Sequence, residues 1–137
     1  MASDPKTISQ IPTPQDKKKI LIVEDDFFIR DLYEIQARKA GYLVVSAADG
    51  EEAVLRARSE SPHLILIDLM IPKMDGISLI RNLKSEPRFK DTPCVIITNL
   101  EDSSKEQEAR AAGAVGYLLK IKNTPEMVVD SLKNFLH

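Results

Sequence analysis

What most constrains this chain is an alternation: five short apolar runs, at residues 20–23, 43–45, 64–67, 94–97 and 115–119, each followed by a longer amphipathic segment. Runs of that length, separated by helical patterns, describe strands joined by helical crossovers and hence a parallel sheet. Residues 64–67 are apolar without a break, as expected of a central strand covered on both faces. The predicted architecture is α/β, a five-stranded parallel sheet with helices on both faces.

Caps and turns punctuate that pattern. Ile29, Leu32, Tyr33, Ala37 and Ala40 share one face of a first helix, which Gly41 ends. Asp49 caps the second helix, with Glu52 as its capping-box partner, and Pro62 lies beyond its end. Ile77, Leu79, Ile80 and Leu83 mark the third, and Pro87 and Pro93 frame the connection to the fourth strand. Ser103 and Glu106 form a capping box for a fourth helix that closes at Gly113, and Thr124-Pro125 opens a last helix running to the C-terminus. Phe27, Phe28, Met127 and Phe135 are read as helix-packing residues. Asp75-Gly76 is read as a turn rather than as part of any catalytic set.

Residues 1–17 carry Pro5, Pro12 and Pro14 among polar side chains and are expected to form a flexible arm, leaving 18–137 as one domain. With 43% hydrophobic and 29% charged residues the chain has the composition of a globular protein. The formal net charge is −2 and the bases are interspersed with acids, so no direct nucleic-acid contact is predicted. Cys94 is the one cysteine; inside an apolar run it reads as a core thiol of a reducing compartment. The most apolar run is interrupted by Asp68 and stopped by Pro72, and the first residues lack the apolar core of a secretion signal. No membrane insertion and a cytoplasmic location are the expectations. His63 and His137 have no second histidine or cysteine at ligand spacing and are read as structural or solvent-facing.

In an open parallel sheet the residues just past the carboxyl ends of neighbouring strands converge on one crevice. The first apolar run ends in Glu24-Asp25-Asp26 and the third in Asp68, so adjacent strands would crowd several carboxylates together. Asp25 and Asp26 can also be read as caps of the following helix. Asp68 has no such reading, because a charge after four apolar residues contributes nothing to packing. An all-oxygen acidic cluster favours Mg²⁺ or Mn²⁺ over zinc. Thr98 and Lys120 end the fourth and fifth runs and add a hydroxyl and a cation to the same rim. That set suits transfer of a phosphoryl group to a carboxylate, which needs mainly positioning and charge neutralisation.

The runs Ile20-Leu-Ile-Val-Glu-Asp-Asp26, Ile65-Leu-Ile-Asp-Leu-Met-Ile-Pro-Lys-Met-Asp-Gly76, Thr98 and Gly116-Tyr-Leu-Leu-Lys120 together resemble the receiver domains of two-component response regulators. The resemblance covers residues 18–137 and implies a flavodoxin-like sheet of strand order 2-1-3-4-5. It implies a stand-alone receiver in a phosphorelay, with Asp68 accepting a phosphoryl group from a sensor histidine kinase or a histidine phosphotransfer protein. Asp25, Asp68 and the Met70 carbonyl would ligate Mg²⁺, Glu24 would act mostly through water, and Asp26 would stand outside the metal shell. Lys120 would pair with Asp68 at rest, Thr98 would bond the new phosphate, and Tyr117 would swing inward with Thr98 to change a face that meets a downstream protein. Catalysis would extend only to the chain's own phosphorylation and dephosphorylation.

Some positions depart from the family pattern. Ile121 follows Lys120 where most receivers have proline, commonly in a cis peptide, and a trans bond is expected here because cis before isoleucine costs about 3 kcal/mol. Asn99 is bulkier than the small residue usual after the switch threonine. Met70 and Leu100 place apolar groups beside the path of hydrolytic water, which predicts a long-lived phosphoryl state. A haloacid-dehalogenase-like phosphatase needs a second aspartate where Met70 stands, and a flavin carrier needs a first loop that cradles phosphate, which Glu24-Asp25-Asp26 would repel. The remaining alternative is an unphosphorylated pseudo-receiver acting as an interaction module, against which stand Glu24, Asp25, Asp68, Thr98 and Lys120.

Overall fold

The computed structural model describes residues 16–136, so the expected N-terminal arm, apart from its last two residues, lies outside the described residues, as does His137. Five strands, β1 (Lys19–Val23), β2 (Leu43–Ala47), β3 (Leu64–Asp68), β4 (Cys94–Thr98) and β5 (Ala114–Leu119), form one parallel sheet in the order β2-β1-β3-β4-β5. Between and after them run α1 (Phe27–Lys39), α2 (Gly50–Glu60), α3 (Gly76–Lys84), α4 (Ser103–Ala112) and α5 (Pro125–Ser131). The expected strand order and helix count are both present. Each strand extends one or two residues beyond its apolar run, because pairing with the neighbouring strand takes in flanking residues too: Lys19 is in register with Leu43 and Ala47 with Val23.

Alternation along the strands divides the core in two. Ile20, Ile22, Leu64, Leu66, Val95 and Ile97 point to one face, where α1 and α5 cover them with Tyr33, Ala37, Val128 and Val129. Leu21, Val23, Ile65, Ile67 and Ile96 point to the other, under α2, α3 and α4. All five residues of β3 are buried, as a strand with neighbours on both sides and helices on both faces must be. Cys94 is buried as expected, and burial pushes its thiol up to about 11.

Most of the predicted caps are present. Asp49 accepts from the Glu52 N–H, Thr124 from Met127 with Pro125 at the first helical position, and Gly41 and Gly113 follow their helices at positive φ. Four expectations are corrected. The cap of α4 is Asp102, whose carboxylate accepts from both the Ser104 and Lys105 N–H groups; Ser103 is already helical, and Glu106 pairs with Arg110. Leu32 and Ala40 are exposed, since Leu32 is turned about 100° around the helix from Tyr33, which faces the sheet. Phe27, Phe28 and Met127 are exposed as well, and only Phe135 of that group packs against the core. The last α-helix stops at Ser131 and continues as a 3₁₀ turn, Leu132–Asn134.

Two of the residues read as bland have defined structural work. His63 Nδ1 accepts from the Lys19 backbone N–H at 2.9 Å, joining the starts of β1 and β3. Asp75 caps α3 through the Ser78 N–H, and the next residue, Gly76, brings that helix against the backbone of β3. A Cβ on Gly76 would lie 2.9 Å from the Asp68 carbonyl oxygen and 3.0 Å from Ile67 Cγ2.

Gly76→Ala should therefore lower the urea midpoint by the equivalent of about 1–3 kcal/mol, because overpacking against backbone exceeds any gain in helix propensity. An unchanged midpoint would show that α3 can shift freely. Burial, with the charges of Lys18 and Lys19, depresses the His63 imidazole below its usual 6.5. Its contribution to stability is complete above that value and is lost as pH falls through the lowered one. His63→Asn keeps an acceptor for Lys19, so the wild-type protein should lose more stability than this variant between about pH 7 and pH 5 in parallel denaturant titrations.

Candidate functional site

The sheet register brings the strand ends into one row. Val23 pairs with Ile67, Asp68 with Ile97 and Thr98 with Leu119, so Glu24, Asp68, Thr98 and Lys120 meet at the carboxyl edge of β1, β3, β4 and β5. Backbone bonds carry the ladder past the strands: Glu24 N–H to the Ala47 carbonyl, Leu69 N–H to Ile97 and Lys120 N–H to Thr98. Because the rim is built on backbone, the side chains start from fixed positions.

Lys120 Nζ donates to Asp68 Oδ2 at 2.7 Å and to Glu24 Oε1 at 2.9 Å. The second Asp68 oxygen accepts from the Met70 N–H at 3.0 Å. Glu24, Asp68 and Thr98 are the three buried polar residues among those described. Asp25 is exposed, but Glu24, Asp25 and Asp68 each offer an oxygen within 4.8 Å of the others. Asp26 turns away and caps α1 through the Ile29 N–H at 3.1 Å. Within the acidic triplet, Asp26 is thus the helix cap, and Glu24 and Asp25 are the residues that crowd against Asp68.

The electrostatics follow from burial. Desolvation pushes the Glu24 carboxyl up to about 7; hydrogen bonding to Asp68 adds to the rise and Lys120 opposes it. Burial alone would depress Lys120, but its bonds to Asp68 and Glu24 outweigh that and hold the ammonium above its usual value. Three carboxylates face one ammonium, leaving two negative charges when all are ionised. An oxygen-only cluster with that deficit fits one divalent hard cation.

Asp68, Met70, Thr98, Asn99, Leu100 and Lys120 line a cavity of ≈ 400 Å³. Thr98 Oγ1 accepts from the Leu100 N–H at 3.0 Å, and the Leu100 carbonyl accepts from the Tyr117 hydroxyl at 2.8 Å. Burial, with the nearby Asp102 and Glu106 carboxylates, raises the Tyr117 phenol and keeps it a donor. Every predicted site residue therefore lies at this rim or one bond from it. The Glu24–Lys120 pair escaped sequence reasoning, which placed Glu24 in the metal set, acting mostly through water; the register of two non-adjacent strands, β1 and β5, was the missing information. No peptide bond among the described residues is cis, as expected at Ile121. Asn99 and Ile121 are exposed, and both line a second groove with Leu32 and Tyr33. No helix of the described residues is long and apolar enough to cross a membrane.

Residues 20–131 match the family model of the response regulator receiver domain. The chain is 39% identical over 104 residues to the probable transcriptional regulator ycf27 of Porphyridium aerugineum, covering 76% of this chain and 42% of that one. It is 36% identical over 110 residues to the DNA-binding dual master transcriptional regulator RpaA of Synechocystis, covering 80% and 46%. It thus spans less than half the length of these curated relatives. Among solved structures it superposes on the chemotaxis response regulator CheY4 of Vibrio cholerae with a TM-score of 0.82 and 32% identity, covering 88% of this chain and 99% of that one. A putative response regulator from Chloroflexus aurantiacus gives 0.80 and 33%, covering 87% and 97%. The fold, the rim and the family match agree: this chain belongs to the response regulator receiver domains of two-component signalling.

Proposed function

We propose that the domain accepts a phosphoryl group on Asp68 from a phosphohistidine of a sensor kinase or phosphotransfer protein and passes the change to a protein partner through Thr98 and Tyr117. The observation that carries this reading is a buried strand-end carboxylate held by Lys120 at 2.7 Å in an otherwise acidic rim. A carboxylate placed there has no packing value, and its lysine holds it oriented as a nucleophile.

In the transfer, an Asp68 oxygen forms the new O–P bond as the donor's N–P bond breaks, and the released imidazole takes up a proton. Glu24, Asp25, Asp68 and the Met70 carbonyl would hold Mg²⁺, with Mn²⁺ as a substitute, and the bound ion supplies positive charge for the phosphoryl oxygens. Lys120 releases one Asp68 oxygen and stays beside the new group as its counter-charge. Buried Thr98 can turn its hydroxyl toward a phosphoryl oxygen. Turning it withdraws the acceptor from the Leu100 N–H, and Leu100 is also the residue to which Tyr117 is bonded. One threonine rotation is thereby coupled to the β4–α4 loop and to the outer surface of β5. No other substrate is required, so the chemistry is confined to the domain's own phosphorylation and dephosphorylation.

Incubation with acetyl phosphate and Mg²⁺ should add one phosphoryl mass to the wild-type chain, none to Asp68→Asn, and far less in the same time to Lys120→Gln. An equal gain in Asp68→Asn would move the acceptor elsewhere, and no gain in the wild type would leave an unphosphorylated interaction module. Met70 and Leu100 line the Asp68 cavity with apolar groups, so the phosphoryl state should be long-lived. Leu100→Gly should shorten its half-life by about threefold or more, followed by intact mass after removal of the donor. A half-life unchanged by that substitution would remove the shielding role.

A further inference from the structure

The β3–α3 loop is fastened to the start of α2. Lys73 Nζ lies 3.5 Å from Asp49 Oδ2 and 3.4 Å from Glu51 Oε2, and the Gly50 N–H donates to the Pro72 carbonyl at 3.3 Å. Met74 covers Gly50 so closely that a Cβ there would collide with the methionine side chain. Pro72, Lys73 and Met74 are thus clasped against residues 49–51. Asp49 is itself held in place: its Oδ1 accepts from the Glu52 N–H at 2.8 Å as the helix cap, which leaves Oδ2 for the lysine. Lys73 makes these contacts with φ at +72°, and apart from glycine only Ser61 shares a positive φ among the described residues. Ser61 is the left-handed residue that ends α2. Lys73 lies within a loop, where a lysine holds that conformation at a cost that its contacts must offset.

We propose that Lys73 is a positioning residue for the divalent cation: by holding the β3–α3 loop on α2, it presents the Met70 carbonyl to the ion. This rests on the reading that Glu24, Asp25, Asp68 and the Met70 carbonyl hold Mg²⁺. Met70 and Ile71 stand between two anchors. On one side the Leu69 N–H bonds the Ile97 carbonyl and the Met70 N–H bonds Asp68 Oδ1; on the other, residues 72–74 are clasped to α2. The Met70 carbonyl belongs to the planar unit that joins Ile71, so its direction is set by where the chain goes next. Met70 is 68% exposed, and side-chain packing therefore does little to orient it. A carbonyl that has to be ordered as the ion binds costs conformational entropy, which the clasp removes beforehand. Exposed ion pairs contribute little to global stability, so the effect belongs to loop geometry and cation affinity. Charge alone gives the opposite sign, because deleting a cation beside an acidic rim strengthens its attraction for a divalent ion.

Calorimetric titration of the full chain with Mg²⁺, without any phosphodonor, tests this, with circular dichroism to confirm that each variant is folded. Lys73→Asn accepts the left-handed conformation but is too short and uncharged to reach α2, and it should raise the Mg²⁺ dissociation constant about fivefold. Lys73→Arg keeps the cation and should stay within about twofold of the wild type. Glu51→Gln should weaken binding about twofold, and its combination with Lys73→Asn should stay within about twofold of Lys73→Asn alone, because both changes undo one clasp. Lys122→Gln deletes a cation from the exposed pair with Glu101 and should not weaken binding, as charge alone requires. Amide hydrogen exchange across residues 69–75 should quicken in Lys73→Asn before any ion is added. An affinity that is unchanged or raised in Lys73→Asn, or equally lost in Lys73→Arg, overturns the proposal and leaves the metal reading of the rim standing. A wild type that takes up no Mg²⁺ overturns that reading and the proposal together.

Discussion

Everything at the carboxyl edge of this sheet depends on Lys120 lying between Glu24 and Asp68. Parallel pairing forces the ends of β1 and β3 side by side, and with them carboxylates whose oxygens lie within 4.8 Å. At that separation two unit charges repel by about 3 kcal/mol at an effective dielectric constant of 20. The lysine offsets part of this, while burial first, and then the bond to Asp68 and its charge, keep the Glu24 carboxyl raised. The fold tolerates the remainder because β3 is apolar and buried along its whole length before Asp68. A charge deficit built on a rigid backbone suits the rim to a divalent cation.

Much of this was legible in the residues. Alternating apolar runs specify a parallel sheet, and aspartate after an unbroken buried run has no structural reading, so Asp68 announces itself. Acids next to helices are harder, because capping and chemistry use the same side chain. Asp25 and Asp26 are consecutive, yet only Asp26 reaches the Ile29 N–H as a cap, while Asp25 offers an oxygen to the acidic cluster. The Ser103 capping box failed for a related reason: Asp102 stands one residue earlier, and its carboxylate accepts two N–H groups where a serine hydroxyl was expected to accept one.

The exposed aromatics were misread for a different cause. Helical periodicity identifies a stripe but not which way it faces, and α1 has two: Tyr33 and Ala37 toward the sheet, Phe28, Leu32 and Ile35 away from it. Sequence alone merges them into one broad apolar face. Likewise, no local signal joins residues 24 and 120. Their pairing exists only because β3 and β4 space β1 and β5 so that a lysine side chain can reach across.

The two loops that border Asp68 are held very differently, and this decides where a change at the site can travel. On the β3–α3 side, the Gly50 N–H bonds the Pro72 carbonyl, Lys73 pairs with Asp49 and Glu51, and the Gly76 N–H bonds Leu69 at 2.8 Å. Gly76 also packs against the Asp68 backbone too closely to allow even a methyl group. On the β4–α4 side, Leu100 connects Thr98 to Tyr117 by single hydrogen bonds at its N–H and its carbonyl. A group added to Asp68 would meet a clamped loop on one side and, on the other, a loop tied by the two Leu100 bonds and by an exposed Glu101–Lys122 ion pair at 3.2 Å. Of the two, the second has the more exposed ties, so under the proposed phosphorylation a change at Asp68 would pass more readily toward α4 and the outer surface of β5.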